Sequence, residues 1–207
     1  SGLSAAHFLA RAGYLVTIFD ENEELGGVLR YGIPEYRMPK ELLRSEIANM
    51  VTGLGIESML GCRVDSDLFL NVRGSYDYIV VALGAHKEKK PFGREEGGAL
   101  IEDGLQFLSR ISSGALKHLP GHVKHVAVIG GGNTAIDVSR SALRLGADKV
   151  TIVYRRTEEA MPAHKDEVEL AKKEGVQFMF LTAPRSVNVP PVRGVRLDCI
   201  RMMMQEA

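Results

Sequence analysis

The chain has 207 residues, of which 45% are hydrophobic and 25% charged, a composition that is typical of a folded globular protein and excludes a largely disordered one. Lys plus Arg and Asp plus Glu both total 26, so no net basic field favours nucleic acid, and small molecules or proteins are the expected partners. No apolar run approaches the ~18 residues of a membrane span, no signal-peptide pattern is present, and Cys62 and Cys199 are too distant for a C-x-x-C dithiol, which together predict a cytoplasmic protein without dithiol chemistry.

An internal repeat is the first organising feature of the chain. Its length corresponds to roughly 1.4 domains at the usual ~150 residues per domain. Residues 16 to 20 read Val-Thr-Ile-Phe-Asp and residues 150 to 154 read Val-Thr-Ile-Val-Tyr, each after a helical pattern that ends in glycine. The sequence therefore predicts two similar units, which we place at residues 1–90 and 91–207.

The first unit begins with a predicted helix from Leu3 to Ala12 and a predicted strand from Leu15 to Phe19, which Asp20 follows. At the end of such a strand a carboxylate can accept hydrogen bonds from the 2′ and 3′ hydroxyls of a nucleotide ribose. Asp20 is thus a candidate ribose-binding residue, with a capping or solvated side chain as the alternative interpretation.

Three further segments complete the first unit. The acidic loop Glu21 to Glu24 precedes Gly26 and Gly27, which by themselves would also fit a simple turn. The apolar run from Tyr78 to Gly84 predicts a buried parallel strand that ends in glycine. The charged run from Lys87 to Lys90 is interpreted as a solvated connection to the second unit.

The second unit shows its elements in an informative order. An apolar strand from His125 to Ile129 is followed by a glycine turn from Gly130 to Ala135, a helix from Ile136 to Leu145 capped by Gly146, and a strand from Val150 to Tyr154. This order predicts the βαβ start of a Rossmann unit.

The glycine turn has the spacing of a diphosphate site. Gly130 would make the tight turn, Gly132 would let the backbone approach a diphosphate, and Ala135 is small enough for the helix to pack closely. The diphosphate would lie at the helix N-terminus, where free N–H groups and the helix dipole stabilise negative charge. A glycine turn that only packs is the alternative. The predicted binding residues here are Gly130, Gly131, Gly132, Asn133 and Thr134.

The residues that end the two repeated strands differ in charge. Asp20 ends the first, whereas Arg155 and Arg156 follow Tyr154 at the end of the second. Two guanidinium groups can clamp a phosphate, and no carboxylate is present there to repel it. The pair therefore predicts a preference for NADPH over NADH, with an ordinary solvated turn as the alternative.

Superposing the repeats defines how much of the first unit is present. Matching Gly13 with Gly146 places Gly2 opposite Ala135, so that the preceding strand and the first two fingerprint glycines have no counterpart. We expect the first unit to begin partway through its fingerprint. The predicted fold class is α/β, with two Rossmann-like three-layer nucleotide-binding units of which the first is incomplete.

Several motifs stand in a characteristic order along the chain. They are Leu25-Gly26-Gly27-Val28, Tyr31 to Lys40, Gly131 to Asp137, and Tyr154 to Thr157 with Met161-Pro162-Ala163. With these motifs the chain closely resembles the glutamate synthase small-subunit (β-subunit) family, whose relatives include the NADPH-binding half of dihydropyrimidine dehydrogenase and the flavin subunits of electron-bifurcating transhydrogenases. The resemblance covers essentially the whole chain.

The resemblance implies an NADPH:FAD oxidoreductase. FAD would bind to a partial domain at residues 1–90 and NADP(H) to a domain at residues 91–207. Hydride would pass from the nicotinamide C4 to the flavin N5, and electrons would leave singly through iron–sulfur clusters to a partner subunit or domain. The cofactors carry this chemistry, so no catalytic side chain is expected.

The resemblance also implies FAD contacts residue by residue. Gly2 would face the diphosphate and Asp20 the ribose, Gly26 and Gly27 would allow close backbone approach, and Val64 would line the adenosine end. Gly84 matches the end of the family's Ala-Thr-Gly crossing, although Leu83 replaces the threonine. The FAD-binding residues implied in this way are Gly2, Asp20, Glu21, Gly26, Gly27, Val28, Arg37, Val64 and Gly84.

Two parts of the family pattern have no counterpart here. No Gly-Asp segment returning to the FAD domain follows Val195, so the NADP(H) domain is expected to lack its C-terminal part. The cysteine-rich domain is also missing, and Cys62 and Cys199 alone cannot form a four-cysteine cluster site. Iron–sulfur clusters are expected only in other domains or a partner.

Metal binding is not expected within this chain. His118, His122 and His125 are spaced by four and three residues, but Pro120 and Gly121 would interrupt the helix needed to align them. We interpret them as part of a solvated linker.

A second function is compatible with the sequence. The chain could be a truncated module that binds NADP(H) without holding FAD and without turnover. A Rossmann methyltransferase is disfavoured, because it would not need two nucleotide units in tandem.

Overall fold

The computed structural model describes residues 1–85, 101–188 and 194–203. The chain divides into two compact units, Ser1–His86 and Lys87–Ala207. The boundary that we placed between residues 90 and 91, and the charged run from Lys87 to Lys90, lie outside the described residues. No helix within the described ranges is long and apolar enough to cross a membrane.

The first unit contains four helices and two strands in its described part. β1 and β2 pair in parallel with Thr17 opposite Glu57, and α1 packs on α3. The predicted first helix and strand are confirmed, although the strand is shorter than predicted because Leu15, 96% exposed, lies outside the pairing. The elements are α1 (Gly2–Arg11), β1 (Thr17–Phe19), α2 (Val28–Tyr31), α3 (Lys40–Val51), β2 (Glu57–Met59) and α4 (Ser66–Ser75).

The prediction of a buried parallel strand from Tyr78 to Gly84 is wrong for this structure. No strand forms there, and the side chains of Tyr78, Val81 and Leu83 are exposed. A parallel strand needs hydrogen-bond partners and apolar cover on both faces. In the described part of this unit only β1 and β2 form a sheet, and neither pairs with the run.

The second unit is built on a three-stranded parallel sheet. Its strands lie in the order β3-β4-β5, and His125 of β3 is opposite Lys149 of β4. A separate antiparallel pair, β6 with β7, follows. The elements are α5 (Gly104–Ser112), β3 (His125–Ile129), α6 (Asn133–Arg144), β4 (Lys149–Val153), α7 (Lys165–Lys173), β5 (Gln177–Met179), β6 (Thr182–Asn188) and β7 (Arg196–Arg201).

The core of the second unit lies between α6 and the sheet. Ile136 of α6 and Val150 and Ile152 of β4 are fully buried, because α6 packs on both β3 and β4 and β4 is the central strand. The predicted βαβ order is confirmed. The helix begins at Asn133, three residues earlier than predicted, and it ends before Gly146, whose φ of +97° suits a glycine after a helix.

The last described helix, α7, is amphipathic. Its apolar side chains Val168 and Ala171 are buried. The charged side of α7 is nevertheless not simply solvated, because its glutamates pair with arginines of α6. Arg140, with a side chain only 7% exposed, forms ion pairs with Glu167 and Glu174.

Glu174 is the centre of this α6–α7 ion-pair network. Its carboxylate accepts hydrogen bonds from Arg144 at 2.7 and 2.8 Å and from Arg140 at 2.8 and 3.1 Å. The hydrogen bonds from Arg144 and Arg140 lower the pKa of Glu174 from 4.5 to about 2. Because the folded-state pKa lies below the unfolded value, the stabilisation is present above about pH 4.5 and is lost as the pH falls towards 2.

We expect Glu174→Gln to lower the free energy of unfolding by about 1–3 kcal/mol at neutral pH, because charge-assisted hydrogen bonds to two arginines are weakened. The difference from the unsubstituted protein should shrink between pH 4.5 and pH 2, where Glu174 itself becomes protonated. Urea unfolding across this pH range measures it. Glu169→Gln, which removes a more exposed partner of Lys172, is the control and should cost under ~0.5 kcal/mol at every pH. A Glu174→Gln deficit that does not shrink with acid would contradict the assignment.

Candidate functional site

The glycine turn of the second unit joins the end of β3 to the start of α6. The N–H of Gly130 donates to Val153 O at 3.1 Å, and Gly130 has φ +136°. A Cβ placed on Gly130 would lie 3.7 Å from Ala135 Cβ, so the turn and the helix are in close contact. This arrangement fits the tight-turn role of Gly130 and the close packing role of Ala135.

Gly132 provides the open side of the turn. It caps α6, and a Cβ placed on it would meet no atom within 4 Å. The backbone N–H groups of Gly132, Asn133 and Thr134 donate to no acceptor in the part of the chain that the structure describes. Three N–H donors without an acceptor at a helix N-terminus, next to a glycine with open space at its Cα, fit the requirements of a dinucleotide diphosphate.

The middle glycine of the turn has a different role. A Cβ on Gly131 would lie 2.5 Å from Cε2 and 2.6 Å from Cδ2 of Tyr154, so the aromatic ring occupies the space of a side chain. This contact of Tyr154 was not predicted from the sequence. The sequence signal for this contact is a run of three consecutive glycines followed by an aromatic residue at the end of the next strand.

A segment after β4 closes over the glycine turn. The N–H of Ala163 donates to Gly131 O at 3.1 Å, and the N–H of His164 donates to Asn133 Oδ1 at 3.0 Å. The Asn133 side chain therefore binds the protein itself, and its backbone N–H is the group available to a ligand. The Met-Pro-Ala motif at residues 161–163 is thus packed against the predicted site.

Arg155 and Arg156 lie at the same sheet edge as the glycine turn. Because β3 and β4 are parallel and Ile129 is opposite Val153, the residues after both strands emerge at that edge. Both arginines are exposed, and neither forms an ion pair with a carboxylate among residues 1–85, 101–188 and 194–203. The structure therefore brings the predicted phosphate clamp and the predicted diphosphate site together.

In the first unit, β-pairing brings Asp20 and Glu21 to the segment that contains Val64. The N–H of Cys62 donates to Asp20 O at 2.9 Å, and Arg63 Nη1 lies 3.9 Å from Glu21 Oε2. Asp20 Oδ1 accepts the backbone and side-chain N–H groups of Asn22, both at 2.9 Å. The predicted ribose carboxylate is thus already oriented by an Asx turn.

Gly26 and Gly27 have separate structural roles. A Cβ on Gly26 would lie 3.0 Å from Arg30 Cβ and 3.1 Å from Ile47 Cδ1, so Gly26 is needed for packing against α3. Gly27, at φ +55°, is the N-cap residue of α2, and a Cβ placed on it would meet no atom within 4 Å. Of the predicted pair, Gly27 is the residue with open space at its Cα, and its contact with FAD stays a prediction.

The first unit also has an open cavity of about 230 Å³, lined in part by Leu25 and Arg30. The buried Arg30 forms an ion pair with Glu24 at its wall. Its charged and apolar lining includes Glu23, Glu24, Leu25, Arg30, Arg44 and Leu60.

Three other predicted FAD residues, Gly2, Arg37 and Gly84, are described by their contacts within the protein. Arg37 is half-buried in a turn in which its N–H donates to Pro34 O at 3.0 Å. A Cβ on Gly2 would lie 3.4 Å from Ala82 Cβ, so the start of α1 is next to the run that ends at Gly84, which has φ +70°. Their roles toward FAD stay predictions.

Lys40 has a structural role that was not predicted from the sequence. Its ammonium donates to Leu29 O at 3.0 Å and to Ile33 O, and so joins the end of α2 to the following turn. Burial lowers the pKa of Lys40, an effect that Glu35 opposes and to which Arg30 adds. The residue closes the Tyr31 to Lys40 motif, where a role could have been suspected.

Metal and thiol chemistry find little support in the described residues. Across the three described ranges, no three His, Cys, Asp or Glu side chains are grouped so that they could hold a metal ion. Cys62 and Cys199 are free thiols, and burial raises the pKa of Cys199.

Comparison with known proteins identifies relatives along the whole chain. Residues 1–200 match the family model described as pyridine nucleotide-disulphide oxidoreductase. The chain is 39% identical, over its full length, to the NADP(+)-dependent formate dehydrogenase subunit beta of Moorella thermoacetica, of which it covers 29%. It is 35% identical, over 97% of its length, to the putative glutamate synthase [NADPH] small chain of Cereibacter sphaeroides, of which it covers 50%. The chain thus spans at most half the length of these two relatives.

A solved structure shows the same fold. FprA from Mycobacterium tuberculosis in complex with NADPH has a TM-score of 0.70 and covers 99% of this chain, which covers 65% of FprA at 14% sequence identity. The resemblance to the glutamate synthase small-subunit family and the predicted α/β Rossmann-like fold are confirmed by these matches.

Proposed function

Since the chain belongs to the pyridine nucleotide-disulphide oxidoreductase family, we propose that it is the NADPH-oxidising module of a flavoenzyme, with NADP(H) bound by the second unit and FAD by the first. FAD and NADP(H) are the cofactors that the family and its NADPH-bound structural neighbour support. When both are bound, they supply hydride transfer from nicotinamide to flavin. The side chains of this chain bind and orient them.

The observation that carries this proposal is the pairing of the Gly132 opening with Arg155 and Arg156 at one sheet edge. The three unused N–H groups at the start of α6 can hold a diphosphate. The two exposed guanidinium groups after β4 can bind a 2′-phosphate in bidentate fashion. This combination distinguishes a site for NADPH from a glycine turn that only packs.

For FAD, the support comes from the first unit. Asp20 is oriented at the end of β1, and a Cβ placed on Gly27 would meet no atom within 4 Å. We assign Gly2, Asp20, Glu21, Gly26, Gly27, Val28, Arg37, Val64 and Gly84 to this cofactor. No dithiol step is part of the proposal, because the two cysteines are separated by more than half of the chain.

The electrons would leave for an iron–sulfur partner. The matched relative from Moorella thermoacetica is named as one subunit of a formate dehydrogenase, and therefore belongs to an assembly of more than one chain. We propose the same arrangement, and a cytoplasmic location, for the protein that contains this chain.

Absorbance spectroscopy tests the proposal. The purified chain is mixed with FAD, and unbound FAD is removed by gel filtration. The protein should then retain the visible absorbance band of oxidised flavin, and NADPH added in the absence of oxygen should bleach this band. A variant with Asp20→Ala should retain less flavin, whereas the control Asp67→Ala, in the first turn of α4, should retain the same amount. A protein that binds neither flavin nor NADPH would contradict the proposal.

One observation favours the second candidate function, a module that binds NADP(H) alone. The apolar run from Tyr78 to Leu83 is exposed, and in the described part of the first unit the sheet has only β1 and β2. A colourless protein that still binds NADPH would support this function over the first.

A further inference from the structure

We propose that Tyr154 is a positioning residue that sets NADPH-over-NADH specificity by fixing the arginine turn relative to the diphosphate turn. The inference rests on the proposed NADPH site and adds to it a residue that touches neither phosphate. Its basis is a set of contacts that link the two turns through one aromatic side chain.

The backbone of Tyr154 is anchored in the sheet. Its N–H donates to Met179 O and its carbonyl accepts from the N–H of Thr182, both at 3.0 Å. Tyr154 therefore continues the hydrogen bonding of β4 beyond Val153. Its ring has little freedom to shift along the sheet edge.

The ring of Tyr154 is packed directly on the diphosphate turn. It fills the position that a side chain at Gly131 would take, with three ring atoms within 2.9 Å of an added Cβ. No room is left for a side chain between Gly131 and the ring, so the ring packs against the backbone of the turn. Any shift of one must be followed by the other.

The hydroxyl group of Tyr154 holds the far end of the arginine turn. It donates to Ala160 O at 2.7 Å, so the loop from Arg155 to Ala160 is bridged by the side chain that precedes it. The near end is held by Leu181, whose N–H donates to Arg156 O at 3.0 Å. Leu181 has φ +50°, a left-handed conformation that a bulky side chain rarely adopts and that the surrounding structure must stabilise.

The returning segment completes the connection. Ala163 donates to Gly131 O and His164 to Asn133 Oδ1, so the loop that carries the arginines starts and ends on the diphosphate turn. Tyr154 is the residue that contacts both. The affinity for NADPH, which has a diphosphate and a 2′-phosphate, would depend on the distance between the diphosphate turn and the arginine turn. The affinity for NADH, which lacks the 2′-phosphate, would depend on the diphosphate turn alone.

Tyr154→Phe separates the two contacts, because phenylalanine keeps the ring on Gly131 and removes the bond to Ala160. We expect the dissociation constant for NADPH to rise about fivefold and that for NADH to change less than twofold, because one hydrogen bond that orders the arginine loop is lost. Fluorescence or calorimetric titration of the same preparation with each nucleotide measures the ratio. Tyr14→Phe, at an exposed tyrosine of the first unit, is the matched control and should leave the ratio unchanged.

A double substitution tests the ring contact. Gly131→Ala should lower the melting temperature and weaken both nucleotides, because the new Cβ collides with the ring. Adding Tyr154→Val should restore part of the melting temperature relative to Gly131→Ala alone, since the collision is removed, but NADPH selectivity should not return because the bond to Ala160 is absent.

The outcomes separate this inference from the proposed function. The positioning role alone would be overturned if the unsubstituted chain binds NADPH but Tyr154→Phe leaves the ratio of the NADPH and NADH dissociation constants unchanged. An equal loss of affinity for both nucleotides would have the same consequence. Additive effects of Gly131→Ala and Tyr154→Val would also overturn it. Absence of NADPH binding by the unsubstituted chain would overturn both the function and the inference.

Discussion

Simultaneous replacement of Arg155 and Arg156 by alanine is expected to weaken NADPH binding by about 100-fold and NADH binding by less than about threefold, because each guanidinium contributes charge-assisted hydrogen bonds to a 2′-phosphate that NADH lacks. Both side chains are exposed and form no ion pair with any described carboxylate. Their loss should therefore leave the stability of the fold nearly unchanged.

Titration with both nucleotides, together with a thermal unfolding curve, measures this prediction. The control is Arg63→Ala with Arg73→Ala, which removes two exposed positive charges from the first unit and should leave both affinities unchanged. Raising the salt concentration should reduce the difference between NADPH and NADH in the unsubstituted protein, because exposed charges are screened. Equal losses for the two nucleotides would show that the arginines do not read the 2′-phosphate.

Gly132→Ala is expected to weaken NADPH and NADH alike by at least about tenfold while lowering the free energy of unfolding by less than about 1 kcal/mol, which is the cost of alanine at a helix N-cap position. Its φ of −88° is open to any residue, and a Cβ there meets no protein atom. The added methyl group would instead occupy the space in which a diphosphate approaches the three N–H groups.

The neighbouring glycines make this prediction specific. Gly131→Ala should destabilise the fold through Tyr154, so loss of binding there has a structural cause, whereas at Gly132 it has a steric cause in the ligand. Gly121→Ala, at a glycine that also has open space and no positive φ, is the control for a harmless methyl group. Unchanged nucleotide affinity in Gly132→Ala would place the diphosphate elsewhere.

Much of the second unit could be predicted from local sequence. The strand from His125 to Ile129 and the helix after the glycine turn were both predicted and observed, because an apolar run and a helical spacing of apolar residues depend on neighbours along the chain. The start of α6 was predicted three residues late. Asn133 and Thr134 are polar residues that also occur in turns, so their residue types alone do not indicate that the helix begins directly after Gly132.

The first unit shows where local patterns fail. The run from Tyr78 to Gly84 has the apolar character of a buried strand, yet it is extended and exposed in the described structure. Whether such a run becomes a strand depends on another strand that offers it hydrogen-bond partners. That information lies far away in the sequence and is not a property of the run itself.

By itself, the sequence determined the βαβ order, the glycine spacing and the charge difference between Asp20 and the Arg155–Arg156 pair, since these are properties of residue type and of short-range spacing. Only the tertiary structure decided which glycine faces open space and which lies under Tyr154. The physical reason is that the space beside a Cα is filled by side chains from other elements, so the roles of Gly131 and Gly132 depend on the fold that surrounds them.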